Sequence, residues 1–352
     1  MKISDIDKNF SASQGVSGGE FISIDSYPIS VYGVKKDNEG YYRIPRESAK
    51  EISESVSYLN CQTTGGLFRF RTNSPTLTIK AENPVKIDFM PHMTELASGG
   101  FDAYSGKNFI ASFPPASRGG YTLEKPLFTE KLEKDADGFF DVTVYMPLYG
   151  AYKDIYVKVA EGSEIRQSQG FHNAKPVVFY GSSITQGACS ASPGTSYINM
   201  LSRTLDLYCL NYGFSGSAKA EPALIELLAR TEMSALVLDY DHNAPNAEHL
   251  EKTHKVLFET IRKSNPSLPI VIASSIPVFI NGRNADKRRE IIYKTYDDAV
   301  KSGDKNVYFL NGYDFFDEIP FDICTVDGVH PNGLGMYCMF KGFESVIKNL
   351  NL

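Results

Sequence analysis

The sequence predicts an α/β protein in two parts. Residues 1–165 are predicted to form an all-β, jelly-roll-like sandwich, residues 166–174 a linker, and residues 175–352 a three-layer, flavodoxin-like α/β domain with a five-stranded parallel sheet. Three observations predict this fold. Before about residue 170, apolar and polar residues alternate with period 2. After it, apolar runs alternate with segments of helical period. The length of 352 residues is sufficient for two domains.

The first half is predicted to consist of short strands that each bury one face. Phe68 and Phe70 alternate with Arg69 and Arg71, which is the pattern of a half-buried strand. Similar alternation recurs at 77–81, 85–89, 142–146 and 155–159. Turn residues separate these runs at 65–66, 73–75, 99–100, 114–115 and 119–120. Such runs, broken by turns, favour an antiparallel sandwich.

Strands and helices alternate in the second half, after a polar, weakly patterned stretch that serves as the linker. The apolar runs lie at 177–180, 208–212, 235–240, 269–276 and 306–310. Helix-period segments lie at about 194–206, 221–230, 246–264, 285–302 and 333–349. This alternation predicts a parallel sheet that is covered by helices on both faces.

Composition excludes several classes of protein. A formal net charge of −6 argues against a nucleic-acid partner, which requires a basic face. No apolar run approaches the ~20 residues of a membrane span, so no membrane partner is expected. The first eight residues lack the apolar core of a signal peptide. We therefore expect a cytoplasmic protein, or a secreted one if a leader has been removed.

A turn of small residues at 181–187 is the strongest chemical signal in the chain. It follows the apolar run 177–180 and precedes a segment that can become a helix, so it places the Ser183 hydroxyl at the carboxyl edge of the sheet. An α/β fold usually keeps a nucleophilic serine at such an edge. Phosphate-binding loops and plain turns have a similar sequence, and these alternatives stay open for the turn alone.

A candidate base for Ser183 lies near the end of the chain. Asp327 and His330 have the DxxH spacing, which lets the carboxylate reach the imidazole Nδ1–H and leaves Nε2 free to face the serine. The two residues follow the last predicted strand, so they also belong to the carboxyl edge. Taken alone, the pair could equally be a turn that leads into the last helix.

Two further loops supply candidate donors to an oxyanion. Gly216 follows the second predicted strand and could present a backbone N–H with no side chain in the way. Asn243 follows the third strand and could donate its side-chain amide. Their alternative roles are an ordinary turn for Gly216 and the N-cap of the following helix for Asn243.

These four loops carry a resemblance to a known family. The block 181–185, Gly216, Asn243 and the block 327–330 are similar, in content and order, to the four signature blocks of the SGNH (GDSL-like) hydrolases. Ser182 stands where many members carry Asp. The resemblance implies the roles assigned above, with the backbone N–H of Ser183 as a third oxyanion donor.

The first half resembles the N-terminal domain of one branch of that family, named for a GxDLY motif. The motif reads 100–104 here, with Ala103 in place of the signature Leu. Supporting stretches lie at 42–45, 70–74 and 146–149. The resemblance therefore covers both halves of the chain and is looser in the first.

The resemblance implies a serine esterase that hydrolyses small acyl esters by an acyl-enzyme mechanism, with a carbohydrate deacetylase favoured. No cofactor and no metal are expected, so EDTA should have no effect on activity. Substrate would be a small-molecule or saccharide ester, with Tyr104, Arg118 and His242 as candidate substrate contacts; Tyr104 could equally be structural. The oligomeric state is open, although an exposed sandwich edge would suit contact with a second copy.

Two alternatives from other classes accompany this expectation. One is a lysophospholipase or thioesterase, which would need an apolar acyl channel beside Ser183. The other is a catalytically inactive sugar-binding protein on the same scaffold. The five cysteines, an odd number without paired spacing, predict neither a disulfide framework nor a metal site, and Cys189 stands out because it follows Ser183 closely.

Overall fold

A computed structural model describes residues 15–115, 119–279 and 284–352. Within these ranges the first half of the chain forms two packed antiparallel sheets and a hairpin, and the second half forms a parallel sheet with helices on both faces. Among all the described residues, no helix combines the length and the apolar character that a bilayer span requires. Arg118, a predicted substrate contact, lies outside the described residues.

The strands of the first half pair into a sandwich. The strands are β1 (Val16–Ser17), β2 (Ile22–Ser23), β3 (Ser30–Tyr32), β4 (Lys35–Asp37), β5 (Gly40–Tyr42), β6 (Leu67–Thr72), β7 (Thr76–Ile87), β8 (Phe101–Ser105), β9 (Asn108–Phe113), β10 (Tyr121–Pro126), β11 (Phe140–Tyr145), β12 (Gly150–Val159) and β13 (Glu164–Arg166). The larger sheet has the order β1-β13-β6-β11-β8-β9, and β3 also pairs with β6. The smaller sheet has the order β10-β7-β12-β2, and β4 pairs with β5 in a separate hairpin.

The predicted alternation explains how these sheets pack. Phe68 and Phe70 of β6 are fully buried against Leu77 and Ile79 of β7, whereas Arg69 on the opposite face of β6 is only partly buried. Apolar side chains from both sheets thus meet in one core, since successive residues of a strand point to opposite faces.

In the described part of the first half, three short helices depart from the all-β expectation. They are α1 (Arg46–Ile52), α2 (Glu54–Leu59) and α3 (Glu95–Gly99). The Ser53 hydroxyl caps α2 by accepting from the Val56 N–H at 3.1 Å, and the Thr94 hydroxyl caps α3 in the same way. Helices of five to seven residues are too short to leave a 3.6-residue period, so pattern analysis misses them.

The second half confirms the flavodoxin-like prediction. Its strands are β14 (Val177–Gly181), β15 (Cys209–Gly213), β16 (Ala235–Asp239), β17 (Ile270–Ala273) and β18 (Val307–Leu310). They form a parallel sheet of order β15-β14-β16-β17-β18, so the first strand lies second from one edge and the strand order reverses at β14. The order brings the ends of β14, β15 and β16, and the loops that follow them, side by side.

Helices cover both faces of this sheet. They are α4 (Ser183–Gln186), α5 (Tyr197–Leu205), α6 (Pro222–Arg230), α7 (Ala247–Ser264), α8 (Ala285–Lys301) and α9 (Gly333–Ile347). Residues of α6, α7 and α8 pack with Val178 and Tyr180 on one face, whereas those of α5 and α9 pack with Val177 and Phe179 on the other. Strands β14, β16 and β17 are therefore buried on both sides, which explains why apolar residues dominate their sequences.

Buried polar contacts join the two halves. Arg43 is 4% exposed, stacks on Phe214 and donates to the carbonyls of Asn211 and Gly213 at the end of β15. Burial lowers the pKa of its guanidinium to about 10. Asp102, the acid of the GxDLY-like motif, is fully buried and accepts from the Gly194 N–H at 2.9 Å. The sandwich is thus held against the loops of the sheet's carboxyl edge.

Candidate active site

Ser183 lies at the end of the first strand of the parallel sheet, where a helix begins. Strand β14 ends at Gly181, and Ser183 is the first residue of α4. A Cβ at Gly181 would lie 2.0 Å from Thr185 Oγ1, so only glycine permits this tight turn. The Ser182 hydroxyl accepts from the Ile184 N–H at 3.2 Å and caps the turn. The Ser182 hydroxyl is therefore occupied by a backbone hydrogen bond, whereas the Ser183 hydroxyl is available to act as a nucleophile.

Buried groups beneath the turn hold it in place. Thr185 Oγ1 and the Tyr197 hydroxyl both donate to Asp239 Oδ2 at 3.1 Å. Burial raises the pKa of Asp239 to about 7, although these two hydrogen bonds oppose the shift. Asp239 ends β16, so the turn is fastened to the neighbouring strand of the sheet.

The structure brings Ser183, His330 and Asp327 into one hydrogen-bonded chain. Ser183 Oγ lies 2.9 Å from His330 Nε2, and His330 Nδ1 lies 2.7 Å from Asp327 Oδ2. Ser183 is 8% exposed, and the side chains of His330 and Asp327 are 21% and 36% exposed. The order serine, imidazole, carboxylate is the one that activates a hydroxyl as a nucleophile.

Asp327 is fixed by its own loop. Its Oδ1 accepts from the backbone N–H groups of Val329 and His330 at 3.0 and 2.8 Å, so Oδ2 is left to the imidazole. Partial burial acts to raise the pKa of this carboxyl, but the hydrogen bonds from His330 and Val329 outweigh it and hold the pKa below its usual value. The carboxylate therefore stays ionised beside the imidazole.

The loops that carry Gly216 and Asn243 are joined to each other. Gly216 adopts φ +67°, which is left-handed backbone that favours glycine. Asn243 Oδ1 accepts from the Ala218 N–H at 3.3 Å, so the amide nitrogen is the end that can donate elsewhere. The alternative role of Asn243 as a helix N-cap is wrong, because Asn246 caps α7 by accepting from the His249 N–H.

A buried pair of amides that sequence reasoning missed connects the sandwich to this site. Gln186 and Gln62 are both fully buried. Gln186 Nε2 donates to Gln62 Oε1 at 2.6 Å, and Gln186 Oε1 accepts from the Ser215 N–H at 3.0 Å. Gln186 thus sets the distance between the serine turn and the loop of Gly216. Its place in the block 181–187 was the one signal that could have identified it.

A cleft between the two halves opens beside the same loop. It has a volume of about 470 Å³ and is lined by Asp88, Phe89, Met90 and Tyr149 of the first half and by Ser215 of the second. The Tyr149 hydroxyl donates to the Ser183 carbonyl at 3.4 Å, so this wall of the cleft contacts the serine turn directly.

The predicted substrate contacts Tyr104 and His242 are both buried, each 6% exposed. Tyr104 packs edge-on against Phe109 and Tyr145 and lies under the Arg203 guanidinium. These contacts favour the structural role of Tyr104 over contact with a substrate.

Comparisons with known proteins give two family matches. The GDSL-like lipase/acylhydrolase family matches residues 174–348, and the GxDLY family, the N-terminus of SGNH-hydrolase-type esterases, matches residues 20–165. A comparison with curated proteins gives no match.

Solved structures show the same two-part fold. A Bacteroides ovatus protein assigned as a GDSL-like lipase superimposes with a TM-score of 0.81 at 27% identity, covering 94% of this chain and 97% of its own. The salicylyl-acyltransferase SsfX3 from a tetracycline biosynthetic pathway gives 0.76 at 19% identity, with coverages of 95% and 98%. A family two carbohydrate esterase from Clostridium thermocellum, solved with cellohexaose, gives 0.60 at 14% identity, with coverages of 91% and 98%.

Proposed function

We propose that this chain, which belongs to the GDSL-like lipase/acylhydrolase family and carries the GxDLY domain of SGNH-type esterases, removes small acyl groups from carbohydrates. Its family makes it an esterase-type hydrolase, and acetyl is the acyl group that we favour. The observation that carries this proposal is the hydrogen-bonded chain from Ser183 through His330 to Asp327.

The proposed reaction proceeds in two steps. Ser183 Oγ attacks the ester carbonyl carbon while its proton passes to His330 Nε2. The tetrahedral intermediate then collapses, and the alcohol leaves with that proton. In the second step water attacks the acyl-serine, His330 again takes the proton, and the acid is released with the serine restored. Asp327 holds the imidazole in the tautomer with the proton on Nδ1 and stabilises its charged form.

Three donors are proposed for the oxyanion of each tetrahedral intermediate. They are the backbone N–H groups of Ser183 and Gly216 and the side-chain amide of Asn243. The hydrogen bonds between Gln186 and the Ser215 N–H and between Asn243 and the Ala218 N–H support this assignment, because they fix the loop on either side of Gly216.

The cleft beside Ser215 supports a carbohydrate as the alcohol part of the ester. Asp88 in its wall is oriented by hydrogen bonds from Gln62 and Tyr58 and can accept from sugar hydroxyls. Phe89 lines the same cleft. The carbohydrate esterase solved with cellohexaose has the same two-part fold, which agrees with this proposal.

The test is a series of p-nitrophenyl esters from acetyl to dodecanoyl, followed by acetate release from acetylated xylan, mannan and simple sugar acetates. We expect kcat/KM to fall beyond butanoyl, on the order of tenfold for each methylene that exceeds the acyl pocket. A rate that rises with chain length would instead indicate a lysophospholipase or thioesterase. Absence of turnover on every ester, together with an unlabelled Ser183 after fluorophosphonate treatment, would indicate an inactive sugar-binding protein.

Replacement of Asn243 by alanine should lower kcat by on the order of 10²–10³, because one oxyanion donor is lost. The matched control is Asn246→Ala, which removes the N-cap of α7 at a cost of about 1 kcal/mol in stability and should leave kcat unchanged. Steady-state kinetics and thermal melts of both variants separate the two effects. Equal activity of both variants would exclude Asn243 from the oxyanion site.

A further inference from the structure

Three potential metal ligands meet at the candidate active site. The ligand atoms of His92, Cys189 and His330 all lie within 4.8 Å of one another. The two imidazole rings are 5.8 Å apart between centroids. His92 comes from the sandwich half, Cys189 from the segment after α4, and His330 from the loop before α9, so the fold rather than local sequence brings them together.

We propose that His92, Cys189 and His330 form a site for a soft divalent cation of the Zn²⁺ type, and that its occupation switches the esterase off. This inference rests on the proposed function, in which His330 is the base. Two imidazole nitrogens and one sulfur are the donor set that Zn²⁺ prefers over the harder Mg²⁺ and Ca²⁺.

The distances suit such a cation after a small closing movement. Zn–N and Zn–S bonds of about 2.0–2.3 Å in a tetrahedral site place the ligand atoms about 3.5 Å apart. The present separations of up to 4.8 Å therefore require shifts of about an ångström. His92 and His330 are half-buried, so a cation can reach them from solvent, whereas Cys189 is buried behind them.

The position of Cys189 is held by packing against the first half of the chain. It adopts φ +65°, a conformation that is uncommon for a residue other than glycine, asparagine or aspartate. Its side chain packs with Met93 and Ala97 of the sandwich and with Leu148. Met93 follows His92 directly, so the same contact that buries the thiol also places the His92 imidazole near it.

Cation binding would disable the base directly. His330 Nδ1 is committed to Asp327, so the nitrogen left for the cation is Nε2, the one that lies 2.9 Å from Ser183 Oγ. A lone pair that binds the cation cannot accept the serine proton. The thiol of Cys189 loses its proton to solvent as the cation–sulfur bond forms.

The first arm of the test measures inhibition. Zn²⁺ is titrated into the enzyme during p-nitrophenyl acetate hydrolysis, and EDTA should restore the rate fully. We expect Cys189→Ser and His92→Gln each to raise the half-inhibitory Zn²⁺ concentration at least tenfold, each compared with its own metal-free rate. The controls are Cys61→Ser and His172→Gln, which change residue types identically outside the cluster and should not shift that concentration.

The second arm measures binding without activity. Co²⁺ in place of Zn²⁺ should give a near-ultraviolet thiolate-to-metal charge-transfer band in the wild type and in Ser183→Ala, and no such band in Cys189→Ser. Inhibition that both cluster variants leave unchanged, or a missing band in the wild type, overturns the proposal. Because the band does not depend on turnover, a failure of the esterase assignment leaves this arm able to decide whether the cation site exists.

Discussion

Ser183→Ala is expected to lower kcat on p-nitrophenyl acetate by about 10⁶-fold, which leaves only the residual acceleration that binding and the oxyanion donors supply. The reason is the geometry of the turn. The Ser183 hydroxyl lies 2.9 Å from the His330 imidazole, so alanine at this position removes the nucleophile that the base activates. Single-turnover and steady-state rates, together with mass analysis after fluorophosphonate treatment, measure the loss.

Ser182→Ala is the matched control for this prediction, because Ser182 is the adjacent serine and is equally small. Its hydroxyl caps α4 by accepting from the Ile184 N–H, so its loss should cost about 1 kcal/mol in stability. The probe should still label Ser183 in this variant. Turnover retained by Ser183→Ala, or lost equally in both variants, would contradict the assignment of the nucleophile.

The parallel sheet could be predicted from sequence because its signals are local. Strands β14, β16 and β17 are buried on both faces and therefore appear as apolar runs, as in 177–180, which lies within β14. The catalytic candidates could be predicted for a related reason. Loops that follow parallel strands meet at one edge, so the order of Ser183, Gly216, Asn243 and His330 along the chain implies their proximity.

Contacts between the two halves could not be predicted in this way. Gln62 and Gln186 are 124 residues apart, and neither residue type nor spacing indicates that their amides meet in a buried pair. The contact between the His92 and His330 rings could not be predicted either, because it also joins residues that are far apart in the sequence. For Tyr104 the sequence leaves both substrate contact and a structural role open, and its burial against Gly194 and Arg203 favours the structural role.

Asp327→Asn is expected to lower kcat by about 10⁴-fold while leaving the fold intact. Asparagine can keep the two backbone hydrogen bonds that Asp327 Oδ1 accepts from Val329 and His330. The amide nitrogen that replaces Oδ2 is a donor, however, so His330 Nδ1 must become the acceptor and its proton must move to Nε2. In that tautomer Nε2 cannot take the proton of Ser183, and the stabilising charge is lost as well.

Asp322→Asn provides the control for this change, because Asp322 is an exposed acid in the turn just before the same loop. It should retain kcat within about twofold, since an exposed charge that lies outside the hydrogen-bonded chain contributes little. Thermal melts should show both variants folded. The two variants have the same net charge and differ only in which carboxylate is missing, so the ratio of their kcat values isolates the effect on His330. A ratio below about tenfold would mean that the imidazole keeps its tautomer without Asp327, and the carboxylate would then belong to the structure of the loop rather than to the reaction.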